Sequence, residues 1–343
     1  MRCRRLAYVW ALVILLTLSP AYAAAKPGTS WAQAELETVV AAGIMAKAAA
    51  ARPDSPLTLG ELENIVAGLT HTQAAAPASP TTKVTMAALD ARLVAALGLS
   101  DSARLFTQSA KTAGLKPPSR FGTEAVARLL GLRTNHPAAL DALELLPGQP
   151  ANRAEAAYSA ARILQLGERD VRGVPELAAS FVLPVLTPWQ KKVLTTAVRF
   201  IGYPYVWGGE SEFPESPFGP QVHGGFDCSG FVWRIYKVEP YAEGGTLAET
   251  LQGRTTYAMS GEVPAAKRIT LAKLEPADVI FFGAKGPESK AAQIDHMGVY
   301  LGNGWFIHSS HYGVAVATLS GWYEKRFAWG RRPLAEAGLV SPA

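Results

Sequence analysis

One cysteine, Cys228, has the surroundings of a reactive thiol. Asp227 before it is typical of an N-cap, and the residues after it have helical spacing: Phe231, Val232, Ile235 and Tyr236. The pattern predicts Cys228 in the first turn of a helix, where free N–H groups and the helix dipole lower a thiol pKa from about 8.5. Gly225 and Gly230 leave room for backbone or substrate to come close. A thiolate nucleophile is therefore predicted, with an inert core cysteine as the alternative.

A thiol nucleophile needs a base, and the base needs a group that orients it. His296 and His308 flank a glycine-rich turn at residues 302–304. With a two-residue turn, His308 would point away from the face that carries His296. With a bulged three-residue turn, Leu301 pairs with Trp305 and the two histidines become diagonal neighbours on one face. We predict the three-residue turn, with His296 as the base and His308 as its orienting partner.

The remaining histidines carry weaker signals. His71, His136 and His223 are expected to be surface or strand residues that hydrogen-bond locally. His311 is left open between such a role and lining a cleft. A zinc site formed by Cys228 and histidines is the rival chemistry, but the paired ligand spacing usual for zinc is lacking. The sequence therefore predicts no metal and no cofactor.

The elements that must position these side chains surround them in sequence. Thr187 and Pro188 mark the N-cap and first position of a helix that stops at Gly202. Beyond it the chain is rich in glycine and aromatic residues, with short β-type runs. The predicted strands are Val279 to Phe282, His296 to Leu301, Trp305 to Ser309, Val314 to Ala317 and Arg326 to Gly330.

Residues 1–23 have the pattern of a secretory signal peptide. A basic start precedes an apolar run from Leu6 to Leu18, and small residues follow up to a cleavage site after Ala23. The alternative is a retained membrane anchor, for which the apolar run is short. The segment carries three arginines and no acid, so its removal lowers the formal net charge from +5 to +2. With no Lys/Arg-rich run elsewhere, no nucleic-acid partner is expected.

Residues 28–165 are predicted to form a helical domain with weak internal repeats. A loop followed by a helix recurs at Thr58, at Thr85 and at Asn152, the first and third with a glutamate at capping-box spacing. The pattern resembles the S-layer homology repeat, a family that docks on cell-wall polymer, and the resemblance implies a secondary cell-wall polymer as partner. Only the third copy keeps the family's arginine, Arg153, so a helical packing or spacer domain is the alternative.

The helical pattern lapses over residues 166–187, where Gly167, Gly173, Pro175 and Pro184 interrupt it. This segment is predicted to be a linker. The catalytic domain is predicted to span residues 188–334.

Residues 188–333 resemble the NlpC family of papain-like cysteine peptidases, which cut peptide stems of bacterial peptidoglycan. The resemblance is carried by an ordered set of motifs: Tyr203 to Gly209, Gly225 to Phe231, Asp278 to Phe282, His296 to Gly302, Trp305 to Ser309 and Phe327 to Arg332. It implies an α+β fold, in which a helical part that carries the cysteine packs on a small antiparallel sheet that carries the histidines. Peptidoglycan is then the partner, the protein is secreted to the bacterial cell wall, and a monomer is expected.

The resemblance also implies roles for single residues. Cys228 matches the nucleophile, His296 the general base and His308 the third polar residue. Tyr205 matches a tyrosine that supports the site and the developing oxyanion, and Asp227 and Ser229 match substrate-recognition positions. The bond implied joins D-γ-glutamate to a diamino acid.

Two other functions stay open at this point. One is a thiol amidase or acyltransferase on the same scaffold, and the other is a wall-binding protein with a silent catalytic domain. An insertion at residues 210–223 leads directly to the nucleophile and is either a lid over the groove or a surface loop.

Overall fold

The computed structural model describes residues 30–216, 219–221 and 223–339, so the predicted signal segment at 1–23 lies outside the described residues. Within these ranges, no helix has the length and apolar character needed to cross a membrane. The helices of the N-terminal part are α1 (Gln33–Ala41), α2 (Lys47–Ala50), α3 (Leu59–Thr70), α4 (Met86–Ala96), α5 (Ser100–Thr112), α6 (Phe121–Leu129), α7 (Arg153–Gln165) and α8 (Glu168–Ser180). The N-terminal region is helical, as predicted.

The C-terminal part mixes helices and strands. Its helices are α9 (Pro188–Arg199), α10 (Cys228–Trp233), α11 (Thr256–Gly261), α12 (Trp322–Arg326) and α13 (Pro333–Glu336). Its strands are β1 (Glu210–Ser211), β2 (Glu215–Ser216), β3 (Gly219–Pro220), β4 (Gly225–Phe226), β5 (Val279–Gly283), β6 (Ile294–Gly302), β7 (Trp305–Ser310), β8 (Gly313–Thr318) and β9 (Phe327–Arg331). In the described chain, the main sheet is antiparallel with the order β8-β7-β6-β5-β9. Each predicted strand is present to within two residues.

The turn between β6 and β7 differs in form from the prediction. Asn303 and Gly304 have left-handed backbone angles, with φ of 47° and 78°, and form a two-residue turn in which Gly302 pairs with Trp305. The pairing then shifts, because Tyr300 lies opposite Phe306 and leaves Leu301 as a bulge. The bulge restores the register that the three-residue turn was expected to give. The predicted turn is therefore wrong in detail, while the register beyond it is the predicted one.

Three loops of the N-terminal region pair with one another in a closed cycle. Thr58 bridges to Lys83, Thr85 bridges to Pro150, and Asn152 bridges back to Pro56. These loops lead into α3, α4 and α7, and each helix is capped by the side chain of its preceding residue. The predicted capping box is complete at Thr58, whereas at Asn152 only the side-chain cap is present. The three predicted loop-to-helix units are thus equivalent parts of one arrangement. Their assignment to the S-layer homology family stays a prediction.

The segment predicted to be a linker contains α8. Gly173 and Pro175 lie inside this helix, while Val174 and Ala178 are buried. The expectation that helical structure lapses here is therefore wrong, because burial of an apolar face outweighs poor intrinsic helix propensity. The division of the chain into domains at this point stays a prediction.

The helical region and the main sheet share a hydrophobic core. The ring centroid of Trp305 on β7 lies 5.7 Å from that of Phe106 on α5 and 5.1 Å from that of Phe181, and its indole N–H donates to the carbonyl of Ser180 at 3.2 Å. These rings belong to one continuous cluster of buried side chains that reaches from α1 to α13. We call Phe106, Phe181 and Trp305 the aromatic junction.

Charged side chains are buried together inside the helical region. Arg128 pairs with Glu124 at 3.1 Å, and His136 lies between two carboxylates, 3.0 Å from Glu144 and 3.7 Å from Glu155. The group, called here the charge cluster, comprises Asp90, Glu124, Arg128, Arg133, His136, Glu144 and Glu155, all buried. Burying so many ionisable groups requires that they compensate one another, since an unpaired buried charge is very costly.

Candidate active site

Cys228 is the first residue of α10, as the sequence predicts. Asp227 caps the helix, because its carboxylate accepts hydrogen bonds from the N–H groups of Gly230 at 2.5 Å and Gly208 at 3.0 Å. Gly230 has no space for a side chain, since an added Cβ would lie 1.9 Å from the carbonyl oxygen of Gly209. The glycine therefore lets the start of α10 lie directly against the 208–209 backbone.

Arg254 braces this helix start and was not singled out by its sequence. Its guanidinium donates to Asp227 Oδ1 at 3.2 Å and to Ser229 Oγ at 2.8 Å, and it pairs with Glu210 at 2.7 Å. It also donates to the carbonyls of residues 208 and 209. The two side chains predicted to bind substrate, Asp227 and Ser229, are thus held by protein partners.

Burial dominates the electrostatics of the thiol. It raises the pKa of Cys228 to about 12, the Asp227 carboxylate adds to the increase, and the backbone of Ser229 and Met297 only partly offsets it by hydrogen bonding to the sulfur. The expected lowering of the thiol pKa is therefore not found. The bond from Met297 also locates the sulfur, since Met297 follows His296 on β6.

His296 and His308 lie on one face of the sheet and contact each other. His296 Nε2 and His308 Nδ1 are 2.7 Å apart, and the His296 ring stacks on Phe282 with centroids 5.7 Å apart. Burial lowers the pKa of His296 to about 4 and that of His308 well below its usual range. Both imidazoles are therefore neutral at pH 7, and the contact between them uses the Nε2 atom of His296 and not its Nδ1 atom.

A groove of about 1030 Å³ runs over His296. Tyr205 lines it, and burial raises the pKa of the Tyr205 phenol, with further increases caused by Cys228 and Asp227 nearby. Trp322 and Arg326 of α12 form another part of the lining, with the Arg326 guanidinium 4.6 Å from the centre of the Trp322 ring. The groove thus brings the predicted base and the predicted support residue to one surface.

The helical region supplies a further part of the lining. Residues 134–137 border the groove and include His136 of the charge cluster, so the expectation that His136 is a locally bonded surface or strand residue is wrong. His311 follows β7 and also lines the groove, which resolves the alternative left open for it. Residues 134–137 carried no sequence signal, because their proximity to the site arises only from packing between distant segments.

Comparison with known proteins identifies the class of the C-terminal half. Residues 202–332 match the NlpC/P60 family, so this half of the chain carries an NlpC/P60 domain.

Two of the matching relatives carry the names of peptidases. A gamma-D-glutamyl-L-lysine dipeptidyl-peptidase from Bacillus subtilis is 31% identical over 42% of this chain and 41% of its own length. Murein DD-endopeptidase MepH from Escherichia coli is 34% identical over 41% of this chain and 45% of its own. The chain thus spans less than half of the length of these curated relatives. An NlpC/P60 family crystal structure from Bacillus cereus is 26% identical, with a TM-score of 0.32 over 44% of this chain and 42% of that one.

Proposed function

We propose that this protein is a cysteine endopeptidase that hydrolyses the peptide stems of bacterial peptidoglycan. The observation that carries the proposal is the bond from the Met297 backbone to the Cys228 sulfur, which places the thiol at the start of α10 next to the strand that carries His296, itself in contact with His308. In this proposal Cys228 is the nucleophile, His296 the general base and His308 the residue that orients it. A thiol, a base and an orienting group in series are what nucleophilic acyl transfer requires.

The resting pair is neutral in this mechanism. His296 Nδ1 takes the thiol proton as the sulfur attacks the amide carbonyl, while His296 Nε2–H donates to Nδ1 of His308. The imidazolium then protonates the leaving amine, and an acyl-enzyme forms between Cys228 and the substrate. A water molecule, deprotonated by His296, hydrolyses the thioester and returns the site to its neutral state.

The negative charge that develops on the carbonyl oxygen needs donors. The backbone N–H of Cys228 opens α10 and is a donor of this kind. The Tyr205 phenol is the second, because its raised pKa keeps it protonated and able to donate. The helix fixes the Cys228 N–H before substrate binds, which is the condition under which such donors stabilise a transition state.

The bond proposed for cleavage joins D-γ-glutamate to the diamino acid of the stem. The similarity to a gamma-D-glutamyl-L-lysine dipeptidyl-peptidase supports this choice. The similarity to a murein DD-endopeptidase indicates that cross-links between stems need to be tested as the competing substrate.

The test is digestion of purified peptidoglycan by the protein and by Cys228→Ser, with products identified by mass spectrometry. We expect fragments that end in D-glutamate from the wild type and none from the variant. Release of intact stems would indicate an amidase, and loss of cross-links alone would indicate a DD-endopeptidase. Equal digestion by Cys228→Ser would exclude the thiol mechanism.

Export to the cell wall is part of the proposal, supported by the sequence pattern of residues 1–23. N-terminal sequencing of the protein from culture supernatant or wall fractions should find Ala24 as the first residue. An intact start at Met1 in the membrane fraction would indicate a retained anchor instead.

Docking of the helical region on a secondary wall polymer has less support. Arg153, the arginine carried over from the repeat family, is buried and pairs with Glu61 at 2.8 Å. An arginine that is engaged in this way has few donors left for a polymer. Co-sedimentation of Cys228→Ser with cell walls, before and after removal of the polymer, tests this partner.

A further inference from the structure

The backbone of the segment from Pro204 to Gly209 forms hydrogen bonds on both of its sides, and successive residues bond to alternate sides. On one side it faces the strand that leads to the nucleophile, where Pro204 O accepts from Phe226 N at 3.2 Å and Val206 N donates to Phe226 O at 3.3 Å. On the other side it faces the helical region. The backbone of an extended chain presents its polar groups to alternate sides, so residues 205 and 207 are left to find other partners.

Those partners are two side chains of the helical region. The Asn135 amide donates to the carbonyl of Tyr205 at 2.6 Å, and the Asp141 carboxylate accepts from the N–H of Trp207 at 3.0 Å. The Asn135 backbone N–H donates to the carbonyl of His311 at 2.8 Å, and Asp141 is buried. Both side chains are therefore fixed to the NlpC/P60 domain.

We propose that Asn135 and Asp141 are positioning residues that hold the backbone of Tyr205 and Trp207 and thereby keep the Tyr205 phenol beside Cys228. The inference rests on the proposed function for its kinetic consequence. The helical region then forms an integral part of the active site. Displacement of a catalytic donor by about 1 Å can lower the rate about 100-fold, so small losses of restraint are measurable.

The direct test compares Asn135→Asp, which keeps the shape but loses the amide donor, with Asn135→Ala. On a soluble stem peptide we expect kcat to fall about 10- to 100-fold with KM nearly unchanged. Asp141→Ala should have the same kind of effect, and Asp141→Asn, which keeps an oxygen acceptor, should restore most of the activity. Equal activity of Asp141→Ala and Asp141→Asn would contradict the proposal.

Arg120→Gln is the matched control. Arg120 also lies in the helical region and donates to carbonyls of the C-terminal part, Ile201 at 2.9 Å and Arg199 at 2.6 Å, which precede the segment from Pro204 to Gly209. Its loss removes two such bonds. If any hydrogen bond between the two regions supported activity equally, Arg120→Gln would lower kcat at least as much as Asn135→Ala. That result would exclude the positioning role of Asn135.

A double-mutant cycle tests whether Asn135 acts through Tyr205. In a Tyr205→Phe background, Asn135→Ala should lower kcat by no more than about twofold, because the group it positions is already gone. Independent effects of the two changes would overturn the inference.

The same cycle is measured without substrate, as the rate of Cys228 alkylation by iodoacetamide. Cys228 is the only cysteine outside residues 1–23, so the signal is unambiguous. We expect Asn135→Ala and Tyr205→Phe to change the rate in the same direction and the double variant to match Tyr205→Phe. Coupling in alkylation without peptidoglycan cleavage would uphold the positioning role and refute the proposed function. Peptidoglycan cleavage together with additive effects on the alkylation rate would support the proposed function and refute the positioning role.

Discussion

The charge cluster of the helical region and the Cys228–His296–His308 centre are two buried groups of ionisable side chains. They differ in whether their side chains are charged at neutral pH. The cluster keeps acids and bases within a few ångströms of one another, as in the 3.1 Å pair of Arg128 and Glu124. The centre holds no formal charge at neutral pH, because burial lowers the pKa of His296 to about 4 and raises that of Cys228 to about 12. The charge cluster therefore contains ion pairs at rest, whereas in the proposed mechanism the Cys228 centre becomes charged only during the reaction.

The difference shows that exclusion of water has two different consequences in the same protein. In the cluster, compensated charges fix the loop that borders the groove and specify its packing. At the centre, the same desolvation keeps the thiol and the imidazole neutral, and in the proposed mechanism they become charged only when the substrate carbonyl is attacked. Hydrogen-bond donors that are already in place then stabilise the separated charges strongly, because water does not screen them.

Removal of the base should give the largest effect. His296→Ala is expected to lower kcat/KM by about 10²- to 10⁴-fold, since the variant has no group in place to take the thiol proton. His223→Ala is the control, because the His223 ring bonds to the neighbouring Gly224 carbonyl at 2.8 Å and lies outside the groove lining. A comparable loss of kcat/KM in both variants would mean that His296 has no role that His223 lacks.

Breaking the charge cluster should instead cost stability. Arg128→Met leaves Glu124 buried without its partner and removes the guanidinium bonds to the carbonyls of Gly202 and Tyr312. We expect the free energy of unfolding in urea to fall by about 3–5 kcal/mol. Arg104→Met, which breaks an exposed pair with Asp101, should change it by no more than about 0.5 kcal/mol.

The double variant Glu124→Leu with Arg128→Met sharpens this result. Because it removes both charges, it should recover part of the lost stability. A double variant less stable than Arg128→Met alone would mean that the pair is not compensating charge.

Arg254→Lys should have a smaller, kinetic effect. Lysine cannot reproduce the fork that holds Asp227, Ser229 and Glu210 together, so kcat is expected to fall about tenfold through a less well-fixed helix start. Arg234→Lys is the matched change, since Arg234 forks to Glu212 and Glu239 away from the sulfur. Arg234→Lys should lower stability and leave kcat at the wild-type value, and the reverse pattern would contradict this assignment.

The pH dependence should be the smallest effect of all. The base is lost only when His296 is protonated, below about pH 4, and the thiol ionises only near pH 12. We therefore expect kcat/KM on a soluble peptide to change less than about twofold between about pH 5 and 9. An acid limb centred near 6.5 would show that His296 titrates as an ordinary histidine and that the resting pair is not neutral.

Local sequence patterns predicted the parts of the site that lie within single elements. Asp227 as a cap predicted the position of Cys228, and Thr187 with Pro188 predicted the start of α9. The register of β6 and β7 was predicted as well, although the turn reaches it through a bulge at Leu301.

Local sequence patterns did not predict which distant segments pack against the site. Arg254, Asn135 and Asp141 approach the site from distant segments, and no spacing in the sequence links them to Cys228. Their contacts depend on how the helical region packs against the sheet. The pKa of Cys228 was missed for a related reason, since the depth of burial of the sulfur is a property of the whole fold.

The aromatic junction limits how the chain can be cut. A fragment beginning at residue 188 would keep Cys228 and both active-site histidines but would lose Phe106 and Phe181 from around Trp305. The bared indole and its apolar neighbours would then face water, a surface that favours aggregation. We therefore expect the C-terminal half to aggregate when it is cut at residue 188, and an unrelated N-terminal partner would need to supply a new cover for that face.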